Sequence, residues 1–198
     1  MKVQEYISSR REARPLHFTL LDPGKTSADD LITLAKQTAE AGTDGFMVGG
    51  STDLSLENVD LAVETIKQTT HMPVILFPTH ASSVSGKADA IFFMSLLNSE
   101  SRQFLVGEQI ASAPWVKKTG LEPLSMAYLV VAPGMTAGRV GQAQPLPRDQ
   151  PDLVVSHALA GQYLGMKYIY LEAGSGASEP VPEGIIKSVR ESIDVTLI

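Results

Sequence analysis

Short apolar segments alternate with longer amphipathic segments along most of the chain. Seven apolar runs have the length and composition of β-strands: Leu16–Leu21, Gly45–Val48, Val74–Phe77, Ala90–Met94, Ser125–Val131, Tyr168–Leu171 and Val195–Ile198. Five segments with apolar positions at helical spacing lie between them: residues 27–41, 56–69, 100–119, 152–164 and 182–191. Ser27 is the predicted N-cap of the first of these helices. This alternation predicts parallel strands joined by crossover helices, and therefore an α/β fold.

Two connections depart from the alternation. Only PTHASSVSGK (78–87) separates the third and fourth apolar runs, and its serines and glycine disfavour a helix. We expect a mobile loop there in place of a helix. The second connection, residues 133–151, is long and rich in glycine and proline. Connections of that length inside compact domains are usually functional or disordered.

Polar or glycine-rich clusters end most of the predicted strands: LLDPGK (20–25), VGGST (48–52), FPTH (77–80), MSLLN (94–98), VAPG (131–134) and LEAGSG (171–176). A βα barrel builds its active site from such strand ends, whereas an open doubly wound sheet concentrates ligands near one switch point. The distribution favours a TIM-type (β/α)8 barrel, modified at its third helix, as one domain over residues 1–198. The sequence ends after the seventh predicted strand, so we expect a truncated chain.

Composition excludes several classes of protein. A net charge of −6 without a basic stripe argues against a nucleic-acid-binding protein. The absence of cysteine excludes disulfides, thiolate nucleophiles and cysteine-ligated zinc. The N-terminal segment is polar and the longest apolar runs are strand-sized, so we expect no signal peptide, no stable membrane insertion and a cytoplasmic protein.

Two strand ends offer candidate ligands for a metal or a phosphate. Asp22 follows the first predicted strand, where a lone carboxylate suits Mg²⁺, and Lys25 nearby could bind an anion. On these residues alone, however, a plain Asp-Pro-Gly turn is favoured. Gly49 and Gly50 permit close approach to a ligand, and Ser51 offers a hydroxyl group. A simple turn before the next helix is equally well supported there.

The segment YLEAGSGA (170–177) is more informative. The backbone N–H groups of Gly174, Ser175 and Gly176 directly follow a strand and can point at a phosphate. A carboxylate at Glu172 would repel that phosphate unless a hydroxyl group also lay there. The pattern therefore favours a ligand with both phosphate and alcohol groups, with Glu172 accepting the alcohol proton. The alternative is a flexible linker.

Aromatic and methionine side chains on the predicted strands are interpreted mainly as core: Met47, Phe77, Phe92, Phe93, Met94, Met126 and Tyr128. Some of them could instead line an apolar groove for a long chain, and the sequence does not separate the two interpretations.

These motifs, in this order, resemble the geranylgeranylglyceryl phosphate synthases, prenyltransferases of archaeal lipid biosynthesis with a modified βα barrel. The resemblance extends through the whole chain and rests on TLLDPGK (19–25), MVGGST (47–52), PVILFP (73–78), AYLVVAPG (127–134), VGQAQPLPRDQP (140–151) and YLGMKYIYLEAGSGA (163–177). The stretch GEQIASAPWVKKTGLEPLSMAYLVVAPG resembles the archaeal branch more than the related bacterial heptaprenylglyceryl phosphate synthases.

The resemblance implies Mg²⁺-dependent transfer of a prenyl group from geranylgeranyl diphosphate to sn-glycerol 1-phosphate. It implies Mg²⁺ at Asp22 and Ser51, with the metal neutralising the departing diphosphate. The glycerol hydroxyl, near Glu172, would then attack C1 of the prenyl chain, so Asp22 and Glu172 are the predicted catalytic residues. The predicted substrate-binding residues are Lys25, Tyr170, Leu171, Glu172, Ala173, Gly174, Ser175 and Gly176.

The resemblance also implies a homo-oligomer, either a dimer or a hexamer. Further phosphate-binding glycines of the family follow its seventh and eighth strands, beyond the last residue given. We therefore expect the chain as given to lack half of the phosphate site and to be inactive or incomplete.

Three alternatives stay open. The chain could be another phosphate-binding barrel enzyme, such as a sugar-phosphate isomerase. It could catalyse the same chemistry with a longer prenyl donor. It could also be a catalytically inactive phosphate-binding barrel or scaffold. Stereoselective binding of glycerol 1-phosphate would separate the synthase from the scaffold.

Overall fold

A computed structural model describes residues 1–50 and 54–198 of the chain. The chain divides into two compact units. Unit 1 contains Met1–Phe92 and Ala111–Pro123, and unit 2 contains Phe93–Ile110 and Leu124–Ile198. Each unit is described by itself below, and the single domain expected over residues 1–198 stays a prediction.

Seven parallel strands confirm the predicted strand pattern to within a few residues at each end. They are β1 Phe18–Leu21, β2 Gly45–Gly49, β3 Val74–Phe77, β4 Ala90–Leu96, β5 Glu122–Val130, β6 Tyr168–Glu172 and β7 Thr196–Leu197. Within each unit, strands that follow one another in the chain also pair with one another.

The helices are α1 Val3–Arg11, α2 Ala28–Glu40, α3 Leu56–Thr69, α4 Glu108–Thr119, α5 Met135–Val140, α6 Pro151–Tyr163 and α7 Glu183–Ser192. A π-helical turn, Gln103–Gly107, precedes α4. The five predicted helical segments are confirmed, whereas α1 and α5 were not predicted. In the part of the chain that is described, no helix combines the length and the apolar character needed to cross a bilayer.

Unit 1 contains β1, β2, β3 and the start of β4. Ser27 caps α2, since its side chain accepts a hydrogen bond from the Asp30 N–H, as its position predicts. The crossover from β3 to β4 contains only a 3₁₀ turn, Ala81–Ser83, which confirms that a helix is missing there. The Ser85 hydroxyl ties this crossover to α3 by donating to Asp60 Oδ1 at 2.5 Å.

Unit 2 contains β5 to β7. Its hydrophobic core includes Ala127, Leu129, Ile169 and Ile185. The long connection after β5 is ordered, and it contains α5. Buried Asn98 fixes it, because its side-chain amide donates to the carbonyl groups of Val130 (2.9 Å) and Gln144 (2.7 Å). This buried side chain therefore satisfies backbone groups of a segment that has little regular structure.

Candidate functional site

Asp22 directly follows β1, at the carboxyl end of that strand. Its carboxylate has two partners in its own turn. The Gly24 N–H donates to Oδ1 at 3.0 Å, and Lys25 Nζ lies 3.3 Å from Oδ2. The Asp22 side chain is only 16% exposed, whereas that of Lys25 is 62% exposed. The carboxylate is therefore mostly buried, and its cationic partner is the solvated member of the pair.

Gly50 lies against the same carboxylate. A Cβ atom added at Gly50 would lie 2.5 Å from Asp22 Oδ1 and 2.6 Å from Cγ and Oδ2. The backbone at the end of β2 thus approaches Asp22 as closely as only glycine allows. Thr79 donates its hydroxyl proton to the Gly50 carbonyl at 2.5 Å, which fixes that backbone from the β3 side. The next residue, Ser51, lies outside the described residues.

The donor set at Asp22 suits Mg²⁺ better than a transition metal. Among the residues that the structure describes, no group of three or more His, Cys, Asp or Glu side chains could hold a metal ion. A cation at Asp22 would therefore have few carboxylate ligands and would take its remaining ligands from water and phosphate. That coordination is the usual one for Mg²⁺, which keeps several waters and binds substrate phosphates.

Glu172 is the last residue of β6, and two neutral groups hold its carboxylate. The Tyr128 hydroxyl donates to Oε2 at 3.2 Å, and the Gly174 N–H donates to Oε1 at 2.5 Å. A carboxylate with neutral donors keeps its full negative charge available for another donor. Both Glu172 oxygens thus accept hydrogen bonds from the protein, and the predicted acceptance of a substrate proton stays a prediction.

Strand register explains why Tyr128 reaches Glu172. Tyr128 on β5 pairs with Tyr170 on β6, and Glu172 lies two residues further along β6. Alternate residues of a strand share one face, so all three side chains project from the same side of the sheet. The two tyrosine ring centroids are 5.2 Å apart.

Both tyrosines stay protonated over the working pH range. Burial, followed by the negative charge of Glu172, raises the pKa of Tyr170 to about 12. The same two causes, burial being the larger, raise the pKa of Tyr128 further above its usual value. Each hydroxyl is therefore a hydrogen-bond donor rather than a base.

Sequence reasoning missed Tyr128, which it assigned to the core. The ring is indeed buried, with 9% of the residue exposed. The hydroxyl nevertheless contacts the predicted catalytic carboxylate. The alternation of side chains between the two faces of each strand would have suggested this contact, but only once the β5–β6 register was known.

The glycine segment after β6 has a left-handed backbone at two positions. Gly174 and Gly176 have φ angles of +100° and +80°, which L-residues rarely adopt. A Cβ atom at Gly174 would lie 2.6 Å from the Gly134 carbonyl carbon and oxygen. Ala173 is buried beside them, whereas Ser175 is exposed. One expectation needs correction: the Gly174 N–H donates to Glu172 instead of facing a phosphate.

A cavity of about 450 Å³ opens beside this segment. Its lining residues all lie between positions 171 and 181, and they include Leu171, Glu172, Gly174 and Gly176. This volume is sufficient for a small phosphorylated alcohol. Five of the predicted substrate-binding residues line this cavity, namely Leu171, Glu172, Ala173, Gly174 and Gly176, and their role stays a prediction. Asp22 and Lys25 form their own cluster in unit 1.

Comparison with known proteins places these features in a family. The sequence matches the PcrB family over residues 7–198. It is 52% identical over 197 residues to the geranylgeranylglyceryl phosphate synthase of Pyrococcus horikoshii, a match that covers 100% of this chain and 78% of that protein. The synthase of the same name from Methanothermobacter marburgensis is 45% identical over 198 residues, covering 100% of this chain and 80% of that protein.

Solved structures agree with this result. The wild-type GGGPS of Thermoplasma volcanium is 44% identical, with a TM-score of 0.97 over 100% of this chain and 79% of that one. The (S)-3-O-geranylgeranylglyceryl phosphate synthase of Thermoplasma acidophilum, solved with its substrate sn-glycerol-1-phosphate, is 43% identical. Its TM-score is 0.96 over 100% of this chain and 80% of that one. These likenesses confirm the predicted fold class and the family resemblance.

Proposed function

Because the chain belongs to the PcrB family, we propose that it is a geranylgeranylglyceryl phosphate synthase. In this reaction the prenyl group of geranylgeranyl diphosphate passes to a hydroxyl group of sn-glycerol 1-phosphate, and diphosphate leaves. The strongest support is the likeness over the whole chain to the T. acidophilum synthase that was solved with sn-glycerol-1-phosphate. The 52% identity to the P. horikoshii synthase supports the same activity.

Glu172 is the proposed general base for this transfer. Tyr128 and Gly174 donate to its two oxygens and fix their direction. The remaining lone pairs can accept the proton of the glycerol hydroxyl as that oxygen attacks C1 of the prenyl chain. Orientation of the hydroxyl against the allylic carbon would supply a large share of the rate gain.

The phosphate of sn-glycerol 1-phosphate is proposed to lie in the cavity beside Gly174, Ser175 and Gly176. Leu171, Ala173 and Tyr170 would shape the wall nearest the glycerol group, with the Tyr170 hydroxyl as a neutral donor. A phosphate and a hydroxyl separated by a three-carbon backbone match a cavity with glycines on one side and a carboxylate on the other.

Asp22 is the proposed Mg²⁺ ligand, with Ser51 as the second residue that the family resemblance implies. When bound, Mg²⁺ supplies positive charge to the departing diphosphate. The absence of a side chain at Gly50 lets the backbone pack against the Asp22 carboxylate, and the Gly24 N–H binds one of its oxygens. Lys25 is proposed to turn from Asp22 to the diphosphate when substrate binds. Cytoplasmic location, oligomer formation and preference for the geranylgeranyl donor also belong to this proposal.

Prenyl transfer to defined glycerol phosphate enantiomers tests the proposal. The purified protein is incubated with radiolabelled geranylgeranyl diphosphate and Mg²⁺, with either sn-glycerol 1-phosphate or sn-glycerol 3-phosphate. We expect labelled geranylgeranylglyceryl phosphate from the 1-phosphate at a rate well above that from its enantiomer. Equal rates would exclude a stereoselective synthase. The absence of product from a folded protein would favour the inactive barrel.

A further inference from the structure

The charged side chains that line the cavity in unit 2 would disfavour a bound phosphate. Its lining residues include two carboxylates, Glu172 and Glu179, and none of its lining residues is lysine, arginine or histidine. A phosphate monoester placed there would face two like charges. Water screens the repulsion from Glu179, which is 71% exposed, more than that from the half-buried Glu172. Backbone N–H groups compensate in part, but the Gly174 N–H already donates to Glu172.

Arg148 is a cation that touches the cavity wall. Its Nη2 atom donates to Glu179 Oε2 at 3.0 Å, and its Nη1 atom donates to the Ala132 carbonyl at 3.3 Å. The Arg148 side chain is 29% exposed, compared with 71% for Glu179. The guanidinium is thus the better-ordered member of the pair, and the carboxylate is the more solvated one.

The backbone next to Arg148 is held in register with the end of β5. The Leu146 N–H donates to the Val130 carbonyl, and the Ala132 N–H donates to the Leu146 carbonyl, each at 2.9 Å. Arg148 follows this bridge by two residues. Its guanidinium thus extends from a backbone segment paired with the end of β5, and it donates to the Ala132 carbonyl as well as to Glu179.

The ion pair itself adds little to stability. Pairs with a highly exposed partner gain little free energy because water screens the attraction and ordering long side chains costs entropy. Guanidinium groups, however, have five N–H donors in a planar fork that matches a phosphate. A phosphate monoester with nearly two negative charges is a stronger partner than a solvated carboxylate.

We propose that Arg148 binds the phosphate of the glycerol phosphate substrate, and that Glu179 is its partner only while the phosphate is absent. The inference rests on the proposed function for the identity of the phosphate ester. When the ester binds, Arg148 exchanges Glu179 for a phosphate oxygen, and Glu179 turns to solvent. Arg148 thereby offsets the two carboxylates of the cavity.

Calorimetric titration of Arg148→Gln and Glu179→Gln tests this exchange, with sn-glycerol 1-phosphate and inorganic phosphate as separate ligands. We expect Arg148→Gln to weaken both ligands roughly ten- to a hundredfold, the loss typical of a charge-assisted hydrogen bond. Glu179→Gln should leave affinity unchanged or improve it, because it frees the guanidinium and removes a repulsive charge. Arg148→Lys should retain part of the affinity, since it keeps the charge but loses the fork.

Lys187→Gln is the matched control, since Lys187 is an exposed cation of α7 that lies 4.0 Å from Glu191. It should not alter either affinity. Thermal unfolding of every variant separates loss of binding from loss of fold. If Glu179→Gln weakens binding as much as Arg148→Gln, the pair is a structural latch and the inference is overturned. Unchanged binding by a folded Arg148→Gln variant overturns it as well.

The two ligands separate this inference from the proposed function. If inorganic phosphate binds in an Arg148-dependent way but sn-glycerol 1-phosphate binds no better than its enantiomer, the synthase proposal fails and the role of Arg148 stands. If the unaltered protein binds neither ligand, the role of Arg148 is overturned, and the prenyl transfer assay decides the function independently.

Discussion

Asp22 in unit 1 and Glu172 in unit 2 are both carboxylates at the carboxyl end of a strand, and each accepts a hydrogen bond from a glycine N–H two residues further on. Their second partners differ in charge. Asp22 has a cationic partner, Lys25, that is mostly exposed to solvent. Glu172 has two neutral partners, the Tyr128 hydroxyl and the Gly174 N–H. A carboxylate paired with a solvated cation can exchange that cation for another one. A carboxylate oriented by neutral donors is better suited to accept a proton.

This difference supports the two roles that we propose for these similar side chains. Cation exchange at Asp22 would suit Mg²⁺ and a diphosphate, whereas proton acceptance at Glu172 would suit an alcohol. Each proposed role follows from the environment of the carboxylate rather than from its chemical type. Substitutions that alter one environment should therefore leave the function of the other intact.

Asp22→Asn should produce the largest effect. It keeps the size of the side chain but removes the charge that would hold Mg²⁺, so Mg²⁺-dependent turnover should fall about 10³-fold, equivalent to several kcal/mol of lost charge stabilisation. Turnover as a function of Mg²⁺ concentration measures this loss. Asp29→Asn, at an exposed position in the first turn of α2, is the control and should retain activity. Full activity in Asp22→Asn would refute the metal assignment.

Glu172→Gln should lower kcat about 10²-fold, because the amide cannot take up the glycerol proton. The KM for geranylgeranyl diphosphate should change little, since that substrate is assigned to other residues. Steady-state kinetics with each substrate varied in turn separates the two parameters. Glu191→Gln on the exposed face of α7 is the control. A change in KM alone would mean that Glu172 binds substrate without acting as a base.

Gly50→Ala should weaken Mg²⁺ binding about tenfold, by about 1.4 kcal/mol. The new methyl group would lie 2.5–2.6 Å from the Asp22 carboxylate and would have to displace it. Titration calorimetry with Mg²⁺ measures the change. Gly184→Ala on α7 is the matched control, because a Cβ atom there meets nothing within 4 Å. It should leave Mg²⁺ binding unchanged, and equal affinities in the two variants would contradict the proposed proximity.

A third carboxylate, Asp44, is also paired with cations, but its ion pairs stabilise the fold. Its side chain is only 2% exposed, and Arg14 donates to both oxygens, at 2.8 Å and 2.6 Å. The Arg14 hydrogen bonds hold the pKa of Asp44 below its usual value. A lowered pKa stabilises the fold above the pKa of the unfolded chain, and this stabilisation is lost as pH falls through the folded value.

Asp44→Asn should therefore leave turnover unchanged. It should lower the free energy of unfolding by about 1–2 kcal/mol at neutral pH. The loss should lie toward the low end of this range because Arg14 is half exposed. Urea unfolding from pH 7 downward measures the difference. It should shrink as the pH falls below the ordinary range of aspartate, about 4. A difference that stayed constant with pH would show that the ion pair is not its source.

Strand ends and helix caps could be predicted from the sequence because local patterns determine them. Ser27 shows this for α2, and Asp22 and Glu172 lie at the carboxyl ends of β1 and β6 as predicted. Contacts that depend on the register between strands could not be predicted from the sequence. The hydroxyl of Tyr128 reaches Glu172 only because Tyr128 pairs with Tyr170 across β5 and β6.

The other features that the sequence did not predict have similar causes. Helix α5 was missed because Gly134, Gly138 and Gly141 in and around it gave the sequence the composition of a loop. The Lys25–Asp22 pair and the Gly174 N–H bond are satisfied locally, although the sequence assigned Lys25 and Gly174 to ligands. Arg148 was not singled out because its position depends on the bridge at Leu146, which no local pattern reveals.

The most direct test of the account titrates Mg²⁺ and sn-glycerol 1-phosphate separately into Asp22→Asn and Glu172→Gln by calorimetry. We predict that Asp22→Asn loses Mg²⁺ affinity and still binds the glycerol phosphate, whereas Glu172→Gln keeps both affinities although its turnover falls. If Glu172→Gln lost Mg²⁺ affinity in a folded protein, or if Asp22→Asn lost affinity for the glycerol phosphate while keeping that for Mg²⁺, the division of roles between the two carboxylates would be contradicted.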